Sequence, residues 1–202
     1  MNRARRAVLA LAVALMAACV VSVPAASADI VLPFTNYQVG GSLTVKKLNQ
    51  SITLPDGSTF NGSANLTTQQ LSGHVSIPEF TSTIRVLGIP TQVTTKLDEA
   101  QPVQGSITVE PNFDIHIRST TSAILRIKKL RLGLLGVPTT CRTAEPVQLT
   151  LNYDGPLSYP LHFKGATTIP PLTGCGLLGP TLGALLSGPG NEYDITLAPP
   201  AG

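Results

Sequence analysis

The side chains best equipped for chemistry are Asp114, His116 and Arg118, the three cysteines, and two further histidines, His74 and His162. Alternate positions of an extended chain share one face, so Asp114, His116 and Arg118 can set a carboxylate and a guanidinium on either side of an imidazole. Such a trio could orient a base or hold an anion. Acyl transfer or hydrolysis needs a nucleophile beside the base as well, and the sequence puts no Ser or Cys next to His116. The longer signatures are missing too: there is no Gly-x-Ser-x-Gly elbow, no His-Glu-x-x-His, and no Walker pattern. Charged and polar residues alternating along the wet side of a strand need no catalytic explanation, so the chain reads as a non-enzyme. The three histidines stand more than forty residues apart, which suggests no metal site, and no motif calls for a cofactor.

Those residues must be positioned by the chain beyond an N-terminal address. Asn2 to Arg6 form a basic region, Ala7 to Val23 an apolar one, and Ala26-Ser27-Ala28 a small-x-small site before Asp29, so cleavage is expected between Ala28 and Asp29. The expected organisation is a signal peptide over 1–28 and one secreted, extracellular β domain over 29–202. A second processing pattern, Met16-Ala17-Ala18-Cys19, resembles a lipobox with Met where Leu is usual; lipidation of Cys19 would instead tether the protein to the envelope. No later stretch is long and apolar enough to span a membrane as a helix.

Arg3, Arg5 and Arg6 leave with the signal, so eleven of the fourteen basic residues remain against eleven acidic ones. A near-neutral total offers no footprint for nucleic acid or an anionic membrane. The one basic run, Arg126, Lys128, Lys129 and Arg131 interleaved with Leu125, Ile127 and Leu130, reads as a solvated strand edge. Once Cys19 is gone, Cys141 and Cys175 remain as an even pair in an oxidising compartment, and a structural disulfide between them is expected.

Period-two alternation recurs at Ile107/Val109, Phe113/Ile115/Ile117, Leu149/Leu151/Tyr153, Tyr159/Leu161/Phe163 and Tyr193/Ile195/Leu197. Turn chemistry separates these runs at Pro55-Asp56-Gly57, Asn61-Gly62, Glu110-Pro111-Asn112 and Asp154-Gly155-Pro156. The fold class expected is mainly β: an antiparallel sandwich or a curved, barrel-like sheet with one short C-terminal helix. Leu87-Gly88-Ile89-Pro90-Thr91 recurs as Leu135-Gly136-Val137-Pro138-Thr139, which suggests two related β-meanders facing each other across one core, each stopped by its X-Pro step. A third echo pairs Ile77-Pro78-Glu79-Phe80-Thr81 with Ile169-Pro170-Pro171-Leu172-Thr173.

The helix is expected over 179–188, with Pro180 at its first turn, Gly188 as its cap, and Leu178, Leu182, Leu185 and Leu186 on one face. It reads as an apolar lid pinned by Cys175, which either closes one end of the β core or gates a cavity.

The segment Cys141-Arg142-Thr143-Ala144-Glu145-Pro146-Val147, together with Thr168 to Pro180 and Ser187 to Asn191, resembles a C-terminal signature of uncharacterised secreted actinobacterial proteins. The resemblance is strong over the last third of the chain and loose before it. It implies export and the Cys141–Cys175 pairing, and it implies no activity.

Two functions stand open. The first is a non-catalytic envelope or extracellular module whose Thr- and Ser-rich surface contacts another protein or the cell wall. The second is a carrier of an apolar, lipid-like ligand within a curved sheet.

Overall fold

The computed structural model describes residues 28–200 apart from 87, 133 and 134. Of the expected leader, only Ala28 falls among them; like Asp29 it is exposed and outside any strand, and Cys19 lies outside the described residues. The chain forms twelve strands: β1 (Val31–Val45), β2 (Gln50–Thr53), β3 (Thr59–Asn65), β4 (Gln70–Ser76), β5 (Phe80–Val86), β6 (Ile89–Val109), β7 (Asp114–Leu132), β8 (Leu135–Thr143), β9 (Val147–Pro156), β10 (Leu161–Ile169), β11 (Leu172–Thr173) and β12 (Gly188–Ala198). A 3-10 turn (Gly176–Leu178) and a helix, α1 (Gly179–Leu186), precede β12. Every ladder is antiparallel, so the protein is mainly β with one short C-terminal helix.

The β6–β7 hairpin is the spine. A strand of 19 residues such as β7 runs roughly 60 Å at about 3.3 Å per residue, too far for one core, so the hairpin serves two. Towards its tip β6 pairs with β4 and β7 with β9; towards its base they pair with β5 and β8. The tip half belongs to a curved wall in the order β10–β12–β1–β3–β4–β6–β7–β9. Its interior holds Val39, Phe60, Leu71, Ile117, Phe163 and Tyr193 among others. The base half forms a second layer whose core joins Val45, Ile84, Ile127, Leu130 and the two cysteines to Leu182 and Leu186 of α1. Strand β1 also serves both, and it turns from one to the other at Gly40 and Gly41. Gly41 has φ +111°, and a Cβ there would lie 2.0 Å from the Asp194 carbonyl oxygen, so only glycine fits.

Where ladders stop, side chains replace them. The Gln50 amide donates to Arg85 O (3.1 Å) and accepts from Arg85 N (2.7 Å), joining β2 to β5. The β4–β6 ladder covers only Gln70–Gly73, and beyond it the Glu99 carboxylate accepts from Val75 N at 2.9 Å. Between β9 and β10 there is no ladder; Thr167 Oγ1 donates to Gln148 O at 2.5 Å, and the Tyr193 hydroxyl donates to Thr150 O. This seam closes the wall.

Several sequence expectations are corrected. Asn61-Gly62 lies inside β3 and Asp154-Gly155-Pro156 inside β9, because partner strands capture these turn-formers. Phe113 is not an inward strand residue: it sits at φ 67° in the turn after Pro111-Asn112 and is 74% exposed. The two Leu-Gly-x-Pro-Thr units are not facing meanders: Ile89-Pro90-Thr91 opens β6 and Leu135 to Thr139 opens β8, both in the β5–β6–β7–β8 layer, and the ladders run on through Pro90 and Pro138. The third echo has a shared role, since Ile77-Pro78-Glu79 and Pro170-Pro171 both carry the chain from the barrel-like wall into the second layer. Nor is the basic run on an edge, for β7 is paired on both sides there.

Candidate functional site

The barrel-like wall encloses a cavity of about 240 Å³, lined almost wholly by Leu, Val, Ile, Phe and Tyr side chains, with Glu99 the one charged residue in its wall. Glycine keeps it open. Gly62 and Gly73 face each other across β3 and β4, and the Phe60 ring lies close against both; a Cβ on Gly73 would come within 2.4 Å of that ring. Any larger residue there would tip the ring into the lumen.

One end of the cavity opens to solvent, since Leu32, Val109, Leu157 and Tyr159 belong to its wall and are each 40% or more exposed. The hydrogen bond from Leu157 N to Phe113 O (3.3 Å) places exposed Phe113 on the same rim, and Ile107 N to Gln69 O (3.0 Å) brings the β3–β4 turn there. Aromatic rings gather beside it: Phe34 packs edge-on against Tyr37 at 5.1 Å, and Tyr37 against Tyr159 at 5.9 Å. Burial, followed by the Tyr37 hydroxyl, pushes the Tyr159 phenol up to about 12, so that ring stays neutral at physiological pH.

The trio read from sequence is only partly assembled. Strand pairing sets His116 opposite Asp154, and His116 Nδ1 meets Asp154 Oδ1 at 2.6 Å while Nε2 meets Glu110 Oε1 at 3.0 Å. Arg118 grips both Asp154 oxygens at 2.7 and 2.8 Å. Asp114 instead accepts from the Asn112 amide at 2.8 Å. The Asp154 hydrogen bond, then that of Glu110, raises the His116 pKa above its ordinary 6.5, and Arg118, then His116, holds Asp154 below 3.8. With a carboxylate at each ring nitrogen, the protonated form of His116 is favoured over the neutral one. His74 and His162 pair separately, with Glu99 at 2.8 Å and Asp194 at 3.1 Å. Asp154 and Glu110 escaped the sequence reading because their nearness to His116 depends on which strands pair.

Cys141 in β8 and Cys175 before the 3-10 turn are disulfide-bonded. Leu182 and Leu186 are buried and Leu185 is half-buried, all against the second core; the side chain of Leu178 lies outside the described residues. Among the described residues, none of α1 lines the cavity, so the helix caps the second layer rather than the cavity mouth.

The chain matches no family model, no curated protein and no solved structure. The geometry of the cavity and its rim therefore carries the functional reading.

Proposed function

We propose that the chain is a non-catalytic β module of the cell envelope or exterior that carries an apolar, lipid-like ligand inside its curved sheet. The observation supporting this reading is the cavity: apolar walls, an apolar rim at one mouth, and a volume of about 240 Å³. An apolar cavity of about 150 Å³ suffices to hold benzene, and drug-sized ligands occupy roughly 300 Å³ or more, so one alkyl chain or a small ring system fits best. Sequence alone favours surface contact over carriage; the hollow interior turns the preference. The fully engaged His116 network likewise supports a non-catalytic role.

Native mass spectrometry of protein purified from its own host tests the proposal. The expected result is a co-purifying lipid-like mass, and stripped protein should take up N-phenylnaphthylamine with a blue-shifted emission. Protein with no adduct and no uptake of the dye would overturn it.

A further inference from the structure

The outer face of the second layer is strongly cationic. Its inward positions are Ile84, Thr91, Val93, Thr95, Ile127, Leu130 and Cys141, all buried, so their neighbours point outward. Lys96, Arg126 and Arg142 are register partners in one row across β6, β7 and β8. The next rows pair Thr94 with Lys129 and Gln92 with Arg131.

A β-bulge enriches the face further. Against β6, consecutive Thr95 and Thr94 face Ile127 and Lys129, so Lys128 is the extra residue. Strict alternation would put Ile127 and Leu130 on opposite faces and send one of the two adjacent lysines inward. With the bulge, both apolar residues are buried and both lysines are exposed.

Six of the eleven basic residues beyond the expected leader thus gather on three neighbouring strands. The acids nearby are few. Asp98 lies 2.9 Å from Lys96 Nζ and also takes the Arg126 guanidinium, while Glu79 stands at the margin just before β5 and Glu145 just after β8. Strands about 4.8 Å apart and five residues of rise give a patch on the order of 10 by 17 Å. Cations one strand or one row apart lie within the roughly 8 Å screening length at physiological salt, so adjacent charges reinforce one another.

We propose that this face docks the protein onto an anionic phospholipid surface. Charge complementarity selects an anion, and the shape selects a plane. The cations spread over a sheet face in two dimensions, with Thr and Gln between them, rather than following a groove. Aromatic residues, which would stack nucleic-acid bases, are absent from these rows. The outward residues are mostly polar, with Pro138 and Gly136 completing the Lys129 and Arg131 rows, so attachment is electrostatic and reversible.

Co-sedimentation of the full chain with vesicles tests this. Binding is expected to mixed phosphatidylcholine–phosphatidylglycerol vesicles, not to phosphatidylcholine alone, and to vanish in high salt. At about 1 kcal/mol per basic side chain near such a surface, the double variant Lys128→Gln with Lys129→Gln should bind about thirty-fold more weakly. Its circular dichroism and dye uptake should be unchanged, which separates loss of docking from loss of the cavity. A second variant, Arg142→Gln, should weaken binding several-fold. Equal binding by wild type and double variant, equal binding to neutral vesicles, or capture of soluble polyphosphate without vesicle binding would each overturn the proposal, the last in favour of an anionic polymer.

Discussion

Residue by residue, the polar outer surface of the barrel-like wall is a set of ion pairs whose strength depends on pH, and His116 is where that dependence concentrates. Its folded pKa is raised, so its contribution is complete below the unfolded value near 6.5 and is lost as pH rises through the folded value. Asp154 behaves in the opposite sense, contributing above about 3.8 and losing its contribution as pH falls through its lowered folded value. The network is therefore strongest between about 3.8 and 6.5. An NMR titration should place the His116 pKa above 6.5, and Asp154→Asn should bring it down; an unshifted imidazole, or one indifferent to that substitution, would contradict the geometry. The sequence made the inventory of this site legible but not its wiring. His116 and Arg118 share a face by alternation alone, whereas Asp154 reaches them only because β9 pairs with β7 across 38 residues.

Elements were legible to the extent that their signals are local. The alternating runs became β7, β9, β10 and β12, and the Pro180-to-Gly188 helix pattern became α1. Misreadings arose where tertiary pairing overrode a local preference, as at Asn61-Gly62, held in β3 by partners on both sides. One clue in plain view was the three-residue spacing of Ile127 and Leu130, which a regular strand cannot bury on one face. At this scale the disulfide carries the clearest prediction. It closes a loop of 34 residues and fastens the start of α1 to β8. The double variant Cys141→Ser with Cys175→Ser should lose about 2 to 5 kcal/mol in urea unfolding. Exposure of Leu182 and Leu186 should also raise ANS fluorescence; an unchanged midpoint and a silent dye would show that α1 holds without its anchor.

For the molecule as a whole, the sequence left sandwich and barrel open, because that choice depends on which distant strands meet. The near-zero charge beyond the expected leader was equally uninformative about surfaces, since a sum over residues cannot show that the fold segregates cations on one layer. Hydrogen exchange should resolve the wall strand by strand. Amides of β9 and β10 that face the seam have no ladder partner and should exchange well before those of β1 and β3, which are bonded on both flanks. Uniform protection around the wall would refute this. The seam also bears on time. On the proposed carrier reading, a ligand leaving through the mouth must pass its aromatic rings, whereas one leaving sideways would part the Thr167 and Tyr193 hydrogen bonds and the Tyr153–Phe163 ring contact while every ladder stays intact. If the proposed carriage holds, residence of a ligand would be governed by how often this suture, rather than any ladder, lets go.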